Sequence, residues 1–251
     1  MELEYVELNE NMYEEYYNHS GENSLVQKIW QDAFGDNYPQ GIDHFGFLTN
    51  RDIAMFVNCL NDCNKGDVLL DIGCGKGGPG LKIAEEKQQK LIGIDIVEEA
   101  INKAELFKYN FELSHEADFK LGGFCNIPLE EKSVDNVISI DAFWMVKDRD
   151  QALAEIKRVM KKNAKFIFTT WDSILLDQTP ILEQNGFEVL YRNETENWKN
   201  YQTNVYKDIL KYKNELINEM GESAQILISE ATSAPLMLGV TERRFYHTQL
   251  R

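Results

Sequence analysis

From about residue 66 onward the chain alternates short apolar runs with longer segments of helical period. That alternation confines it to strands joined by crossover helices, the pattern of a parallel sheet. Residues 67–71 read Asp-Val-Leu-Leu-Asp, a run apolar enough for a strand buried on both faces. A helix is expected over 79–87, a second strand over 91–95, a second helix over 98–109, a weak third strand over 119–121 and a strong fourth over 134–140. Within 151–160, Leu153, Ile156, Val159 and Met160 recur at helical spacing. A fifth strand is expected over 165–170, a short helix over 181–185 closed by Gly186, a sixth strand over 187–191 and a last strand over 243–248.

Two regions stand outside this alternation. Residues 1–50 are polar and rich in aromatic side chains, among them Tyr13, Tyr16, Tyr17, Trp30, Phe34 and Phe45. They read as an N-terminal cap or lid on a main domain spanning 51–251. Residues 196–230 read as a long helix and its successor, an insertion before the last strand that folds over the carboxyl edge of the sheet. With 43% hydrophobic residues the chain can build a substantial core. Its net charge of −16 opposes a polyanionic partner, and no Lys/Arg cluster exceeds three residues. The densest basic pairs, Lys161-Lys162 and Arg243-Arg244, read as solvated surface charge. Cys59 and Cys63 share a helix face without further soft ligands nearby, so they read as structural thiols and no metal site is expected. The first residues lack the basic and apolar regions of a signal peptide, and no apolar run approaches the length of a membrane span. The expectation is a cytoplasmic protein that keeps its thiols reduced, with neither nucleic acid nor membrane as partner.

Between the first strand and its helix lies Asp71-Ile72-Gly73-Cys74-Gly75-Lys76-Gly77. Glycines at this turn let a ligand approach the backbone closely, beside the free amides of a helix N-terminus. Gly73, Gly75 and Gly78 also spell the dinucleotide fingerprint, and Asp95 has the spacing of a ribose-binding carboxylate under either reading. A phosphate-binding P-loop is excluded, because Lys76 is followed by Gly77 and not by Ser or Thr.

Four segments, in order, carry a resemblance. The run Val68-Leu-Leu-Asp71-Ile-Gly-Cys-Gly-Lys-Gly-Gly resembles the first motif of class I S-adenosylmethionine-dependent methyltransferases. Gly93-Ile94-Asp95-Ile96 is similar to their second-strand end. Asn126-Ile127-Pro128-Leu129 and the run from Ser133 to Ala142 look like the approach to and exit from their fourth strand. Residues 155–161 and 165–168 resemble the helix and strand that come next, and Arg243-Arg-Phe-Tyr-His247 the antiparallel seventh strand. The resemblance spans roughly residues 50–192 plus that last strand. It is nearest to the small-molecule enzymes of the sarcosine, phosphoethanolamine and quinone-biosynthesis methyltransferase kind. It implies an α/β, Rossmann-like seven-stranded sheet, mostly parallel with an antiparallel last strand, with helices on both faces and a helical N-terminal cap. It also implies S-adenosylmethionine as cofactor, with S-adenosylhomocysteine as product. Asp71 would order the loop and favour the ammonium of the cofactor's amino-acid tail, and Gly73, Cys74, Gly75 and Gly77 would cradle that tail. Asp95 would hold the ribose hydroxyls. Ile96, Phe124 and Ile127 would bound the adenine, with Gly123 and Cys125 beside it, and Asp141 and Ala142 would pass the methionine portion. Two departures stand out. Gly123 occupies the position where many relatives place an Asp for the adenine amino group, and Met145 the position of a loop His.

Methyl transfer is a direct displacement, so an enzyme mainly aligns the reactants and excludes water. With Met145 in place of a His, the base candidate is His44 in Asp43-His44-Phe45-Gly46, similar to a His-Phe-Gly segment that relatives place over the cofactor. Tyr17, Trp30, Phe45, Trp144 and Trp171 are candidates for the acceptor pocket, their faces suited to a sulfonium or a cationic acceptor; core packing is the competing role for each. Nucleic-acid acceptors are disfavoured, because Asp141-Ala142-Phe143-Trp144 stands where an Asn/Asp-Pro-Pro-aromatic motif would. The expected function is S-adenosylmethionine-dependent methyl transfer to a nitrogen, oxygen or carbon of a small metabolite. The alternatives are a cofactor-binding protein that does not transfer methyl groups or has been repurposed, and a NAD-dependent oxidoreductase.

Overall fold

A computed structural model describes residues 16–18, 24–44 and 46–251. The chain divides into two compact units: residues up to Tyr38 group with Glu196–Thr241, and Pro39–Thr195 with Glu242–Arg251. The sheet unit contains helix α2 (Asn50–Cys59), strand β1 (Val68–Ile72), α3 (Gly78–Lys87), β2 (Lys90–Asp95), α4 (Glu98–Phe107), β3 (Ala117–Leu121), β4 (Val134–Ile140), α5 (Arg149–Val159), β5 (Met160–Ser173), α6 (Thr179–Gln184), β6 (Phe187–Glu194) and, from Glu242 on, β7 (Thr241–Leu250). The strand order is β3-β2-β1-β4-β5-β7-β6. Strands β1 to β5 pair in parallel, and β7 runs antiparallel to β6.

Successive strand residues point to opposite faces, and each face has its own core. Leu69, Leu91, Ile138, Ile167 and Phe245 pack with Ile53 and Phe56 of α2, Leu81 and Ala84 of α3 and Ile101 of α4. Their neighbours Leu70, Ile94, Val137, Phe166 and Tyr246 pack with Leu153 and Ile156 of α5 and with Leu182 of α6. Both faces are therefore dry, which explains why β1 reads as a continuous apolar run. Strand order reverses between β1 and β4, so the loops leaving their carboxyl ends diverge there and open a crevice.

Several boundaries differ from those expected. Residues 39–48 belong to the sheet unit and not to an N-terminal cap ending at 50, because Ile42 and Leu48 are buried in the core with Phe56 and Leu81. Strand β5 starts at Met160, where it pairs with Val134, five residues earlier than expected. The segment from 196 forms three helices, α7 (Trp198–Lys211), α8 (Lys213–Met220) and α9 (Ala224–Ser233), instead of two. It breaks at Tyr212 and at Gly221, whose φ of 62° no helix interior adopts.

In the second unit, α7 to α9 accompany α1 (Leu25–Phe34). Ser24 caps α1 through the Gln27 amide, and Glu219 accepts the Leu25 amide at 3.0 Å. Phe34 stacks on Tyr201 at 4.5 Å. Tyr206 donates to Glu230 at 2.6 Å and accepts from Gln202, so this unit contains a buried polar pair as well as an apolar seam.

Candidate functional site

The glycine loop leaves β1 and is pinned from the side by the end of β2. The Gly73 and Cys74 amides both donate to the Ile94 carbonyl, at 2.8 and 3.1 Å, and the Gly77 amide donates to Cys74. The Gly75 amide donates to Asp95 Oδ2 at 2.8 Å, while Asp95 Oδ1 accepts from the Val97 amide at 3.0 Å. Gly73 has φ 75°, and a Cβ there would collide with Ala142 after β4, so only glycine lets the two loops meet. Four loop amides, those of Gly73, Cys74, Gly75 and Gly77, are thus taken by acceptors of the protein itself. This bears on the dinucleotide reading, which needs such amides for a pyrophosphate.

The charge of the loop points the same way. Asp71 is 2% exposed and its Oδ1 has no hydrogen-bond partner among the described residues. Burial, and secondarily the nearby Asp95 carboxylate, push its pKa up to about 8. Burial also raises Asp95, against the pull of the amides it accepts. Two buried carboxylates without a lysine or arginine in ion pair, among the described residues, form a place that a cation would relieve and a pyrophosphate would aggravate. Cys74 is a buried filler whose thiol reaches the Gly75 carbonyl and whose pKa burial raises.

Beyond Asp95 the edge is apolar and open. Ile96 is 57% exposed although it follows a buried strand end. Gly123 and Asn126 close a tight turn by pairing with each other, and a Cβ at Gly123 would come within 2.9 Å of Ile96. The glycine that replaces the expected Asp thus lets this loop close onto Ile96. Phe124 leans on Phe143 at 5.6 Å, Ile127 is buried, and the exposed Cys125 reaches the Asp148 carbonyl. Glu155 and Arg158 of α5 hold the loop by its backbone: Glu155 accepts the Ile127 amide, and Arg158 donates to the Ile127 and Leu129 carbonyls.

On the β4 side the structure overturns one sequence reading. Arg243 and Arg244 are not solvated: they are 1% and 3% exposed. They lie on β7, an interior strand of the sheet, where a long side chain has no route to water. Arg243 grips Asp141 with two bonds, Nε to Oδ1 at 2.8 Å and Nη2 to Oδ2 at 3.0 Å, and donates from Nη1 to Asp52 at 3.0 Å. Asp52 also closes the capping box of α2 with Thr49. Asp141 Oδ2 accepts the Phe47 amide at 3.1 Å, and the residue adopts φ 55°. Arg243, Asp52 and Phe47 were not legible as site residues, since their partners lie between 94 and 191 residues away in sequence.

Asp43 and Gly46 lie against this edge, beside Gly78 and Asp141. Asp43 is paired with the buried Lys76 of the glycine loop at 2.5 Å, and Phe47 is held by Asp141. His44 lies between them, and desolvation of its ring lowers its pKa to about 4 despite the pull of Asp43 and Asp141. Trp171 meets Phe47 edge to face at 5.5 Å. Trp144 is half exposed and donates to the Asp141 carbonyl at 2.9 Å, with Met145 exposed beside it. Tyr17 and Trp30 are buried residues of the helical unit, and Phe45 lies outside the described residues. Among the described residues no group of three His, Cys, Asp or Glu is placed to hold a metal ion, and no helix is long and apolar enough to cross a membrane.

A family model described as a methyltransferase domain matches residues 63–226. The sterol 24-C-methyltransferase of Saccharomyces cerevisiae is 33% identical over 107 residues, which are 43% of this chain and 28% of that protein. The chain thus matches under a third of that relative's length. Two solved structures share the fold. The [4+2]-cyclase SpnF has a TM-score of 0.72 at 16% identity, covering 96% of this chain and 94% of that one. The Haemonchus contortus phosphoethanolamine N-methyltransferase 2, in complex with phosphomonomethylethanolamine and S-adenosylhomocysteine, has a TM-score of 0.67 at 18% identity, covering 89% of this chain and 56% of that one. The family match covers more than half of the chain, and the chain belongs to the methyltransferase domain family.

Proposed function

We propose that this member of the methyltransferase domain family binds S-adenosylmethionine at the β1–β2 edge and transfers its methyl group to a carbon, nitrogen or oxygen of a small-molecule acceptor. The observation that carries the reading is the buried Asp71 oxygen without a partner, beside a second carboxylate and a cradle only glycine can form. When bound, the cofactor supplies an electrophilic methyl group and a neutral thioether leaving group.

The chain's own residues do the rest. Asp71 accepts the amino-acid ammonium of the tail, and Gly73, Cys74, Gly75 and Gly77 admit it by the absence of bulk. Asp95 keeps a lone pair on each oxygen for the ribose hydroxyls while the Gly75 and Val97 amides fix its orientation. Ile96 and Phe124 offer apolar surface to the adenine, with Gly123 and Cys125 at its rim. Ala142 and Asp141 border the methionine portion, Asp141 through its backbone because its carboxylate is committed to Arg243. His44, held neutral by burial, can take a proton from an acceptor, and Trp144 and Trp171 shape the acceptor side. A small acceptor without nucleic acid follows from the net charge of −16, and cytoplasmic residence belongs to the same proposal, supported by four free thiols. The sterol relative's name makes a carbon acceptor worth testing first.

A second reading, a cofactor-binding protein that does not transfer methyl groups, is favoured by Met145 at the position of the expected His and by a fold neighbour that is called a cyclase. Calorimetry with S-adenosylmethionine and with NAD, followed by an assay of S-adenosylhomocysteine release over sterols, amines and phenols, tests both. The leading reading expects S-adenosylmethionine binding and product with at least one acceptor. Binding of NAD alone would sink it, and binding without product across the panel would favour the second.

A further inference from the structure

The site reading leaves one group unused: a buried arginine at its back. Arg243 lies outside the glycine loop, yet it holds the carboxylate that holds the Phe47 amide. Its fork takes both oxygens of Asp141, and Oδ2 of the same carboxylate accepts the Phe47 amide. From the other side Arg243 is braced by Asp52, itself fixed by the Thr49 capping box at the start of α2. One guanidinium therefore joins β7, the end of β4 and the chain on both sides of residue 48. At the near end of this strap Asp43 is tied to Lys76 of the glycine loop, so the strap has two anchors with His44 between them.

We propose that Arg243 is a positioning residue of the cofactor site, holding the strap that carries Asp43, His44 and Phe47 against the glycine loop through Asp141. The inference rests on the cofactor reading above. A bidentate guanidinium–carboxylate pair fixes direction as well as distance, whereas a lysine in the same place offers a single point of charge. Asp141 sits at φ 55°, a left-handed conformation that aspartate tolerates better than most residues and that aims its carboxylate at the fork. Loosening the fork therefore frees the Phe47 amide first and leaves the sheet pairing of β1 with β2 and β4 intact.

The test uses the full chain and S-adenosylhomocysteine as probe. In Arg243→Lys the affinity is expected to fall about tenfold, and the Phe47 amide to exchange hydrogen faster, while amides of β1 and β4 keep their protection. Asp52→Asn is the comparison: it weakens the far side of the same guanidinium and should lower the melting temperature with affinity held. A folded Arg243→Lys protein with unchanged affinity and unchanged Phe47 protection overturns the proposal, and so do equal losses of affinity in both variants. Should Arg243→Lys fail to fold, the unaltered protein still decides. Its Phe47 amide must be protected to a degree comparable with β4 and gain protection on adding the probe, and exchange at the rate of an open loop overturns the proposal. Absence of binding by the unaltered protein would instead count against the cofactor reading, while Phe47 protection would still report on the strap.

Discussion

The carboxyl edge of the sheet holds two pairs of buried carboxylates that are treated in opposite ways. At the β1–β2 end, Asp71 feels the charge of Asp95, neither has a lysine or arginine in ion pair among the described residues, and burial raises both. At the β4–β7 end, Asp141 and Asp52 share Arg243, and every bond between them is 3.0 Å or shorter. The first pair holds its negative charge in reserve for something outside the chain; the second is committed to structure. An acidic residue at a sheet edge is therefore not a ligand site by virtue of its place. What distinguishes the two is whether the chain itself supplies the counter-charge.

The largest effect should come from breaking the committed pair. Arg243→Met strands Asp141 and Asp52 as buried carboxylates without a counter-charge, each keeping only a backbone amide, a loss of about 3–5 kcal/mol in unfolding free energy, measurable by urea denaturation. A change below about 1 kcal/mol would mean that water reaches this cluster and that the two ends of the edge are alike. The reserved pair should respond in binding instead. Asp95→Ala should weaken S-adenosylmethionine binding by about 1–3 kcal/mol, read by calorimetry, and an unchanged dissociation constant would remove Asp95 from the ribose role.

Which of these residues could be recognised from sequence follows from the same contrast. Asp71, the glycines and Asp95 lie within one βαβ unit, where strand period and turn chemistry place them without knowledge of the rest. The succession of strands and crossover helices along the chain was legible for the same reason. Arg243 was not. A pair of arginines in a polar-looking stretch reads as surface, and only the insertion of β7 between β5 and β6 buries it. The strap is legible only in part: His44 has a recognisable neighbourhood, but Ile42 and Leu48 carry no periodicity that would place residues 39–48 with the sheet. The shift in β5 arises likewise, since the lysine-rich run between Met160 and Lys165 gives no apolar signal, and the pairing with β4 shifts register there.

The unpartnered charge of Asp71 can be tested by pH. With its pKa near 8 in the free protein, the carboxylate must ionise to accept an ammonium. S-adenosylmethionine affinity should therefore rise up to about tenfold per pH unit between pH 6 and 7 and level off above 8. In Asp71→Asn the affinity should be lower and nearly flat over the same range. Stability carries the matching sign. A carboxyl raised from 3.8 to about 8 binds its proton more tightly folded than unfolded, so its contribution is complete below pH 4 and is lost as pH climbs through 8. Thermal melts of the ligand-free protein at pH 5, 7 and 9 should show that loss, and Asp71→Asn should reduce it. A flat profile for the unaltered protein would mean that Asp71 already has a counter-charge, and the contrast with Asp141 would collapse.

The smallest effect concerns Asp172, which lies at the end of β5 and belongs to neither pair. It is buried, and burial raises its pKa although Gln178, Arg149, Arg244 and Arg192 act against the rise. Gln178 Nε2 donates to Asp172 Oδ1 at 2.7 Å, which leaves Asp172 Oδ2 and Gln178 Oε1 as two buried acceptors without a donor. One proton on Oδ2 provides the donor that this acid–amide pair lacks. The pair should then weaken as pH rises through the raised pKa, the same sign as for Asp71, and the loss should be smaller because three arginines favour the ionised form. Asp172→Asn supplies the missing donor as an amide N–H at every pH. Its melting temperature should match the unaltered protein near pH 5 and exceed it by a few degrees at pH 9, roughly the shift that 1 kcal/mol gives in a domain of this size. If Asp172→Asn melts lower than the unaltered protein at both values, Asp172 is ionised and held by its arginines, and it joins Asp141 among the carboxylates committed to structure.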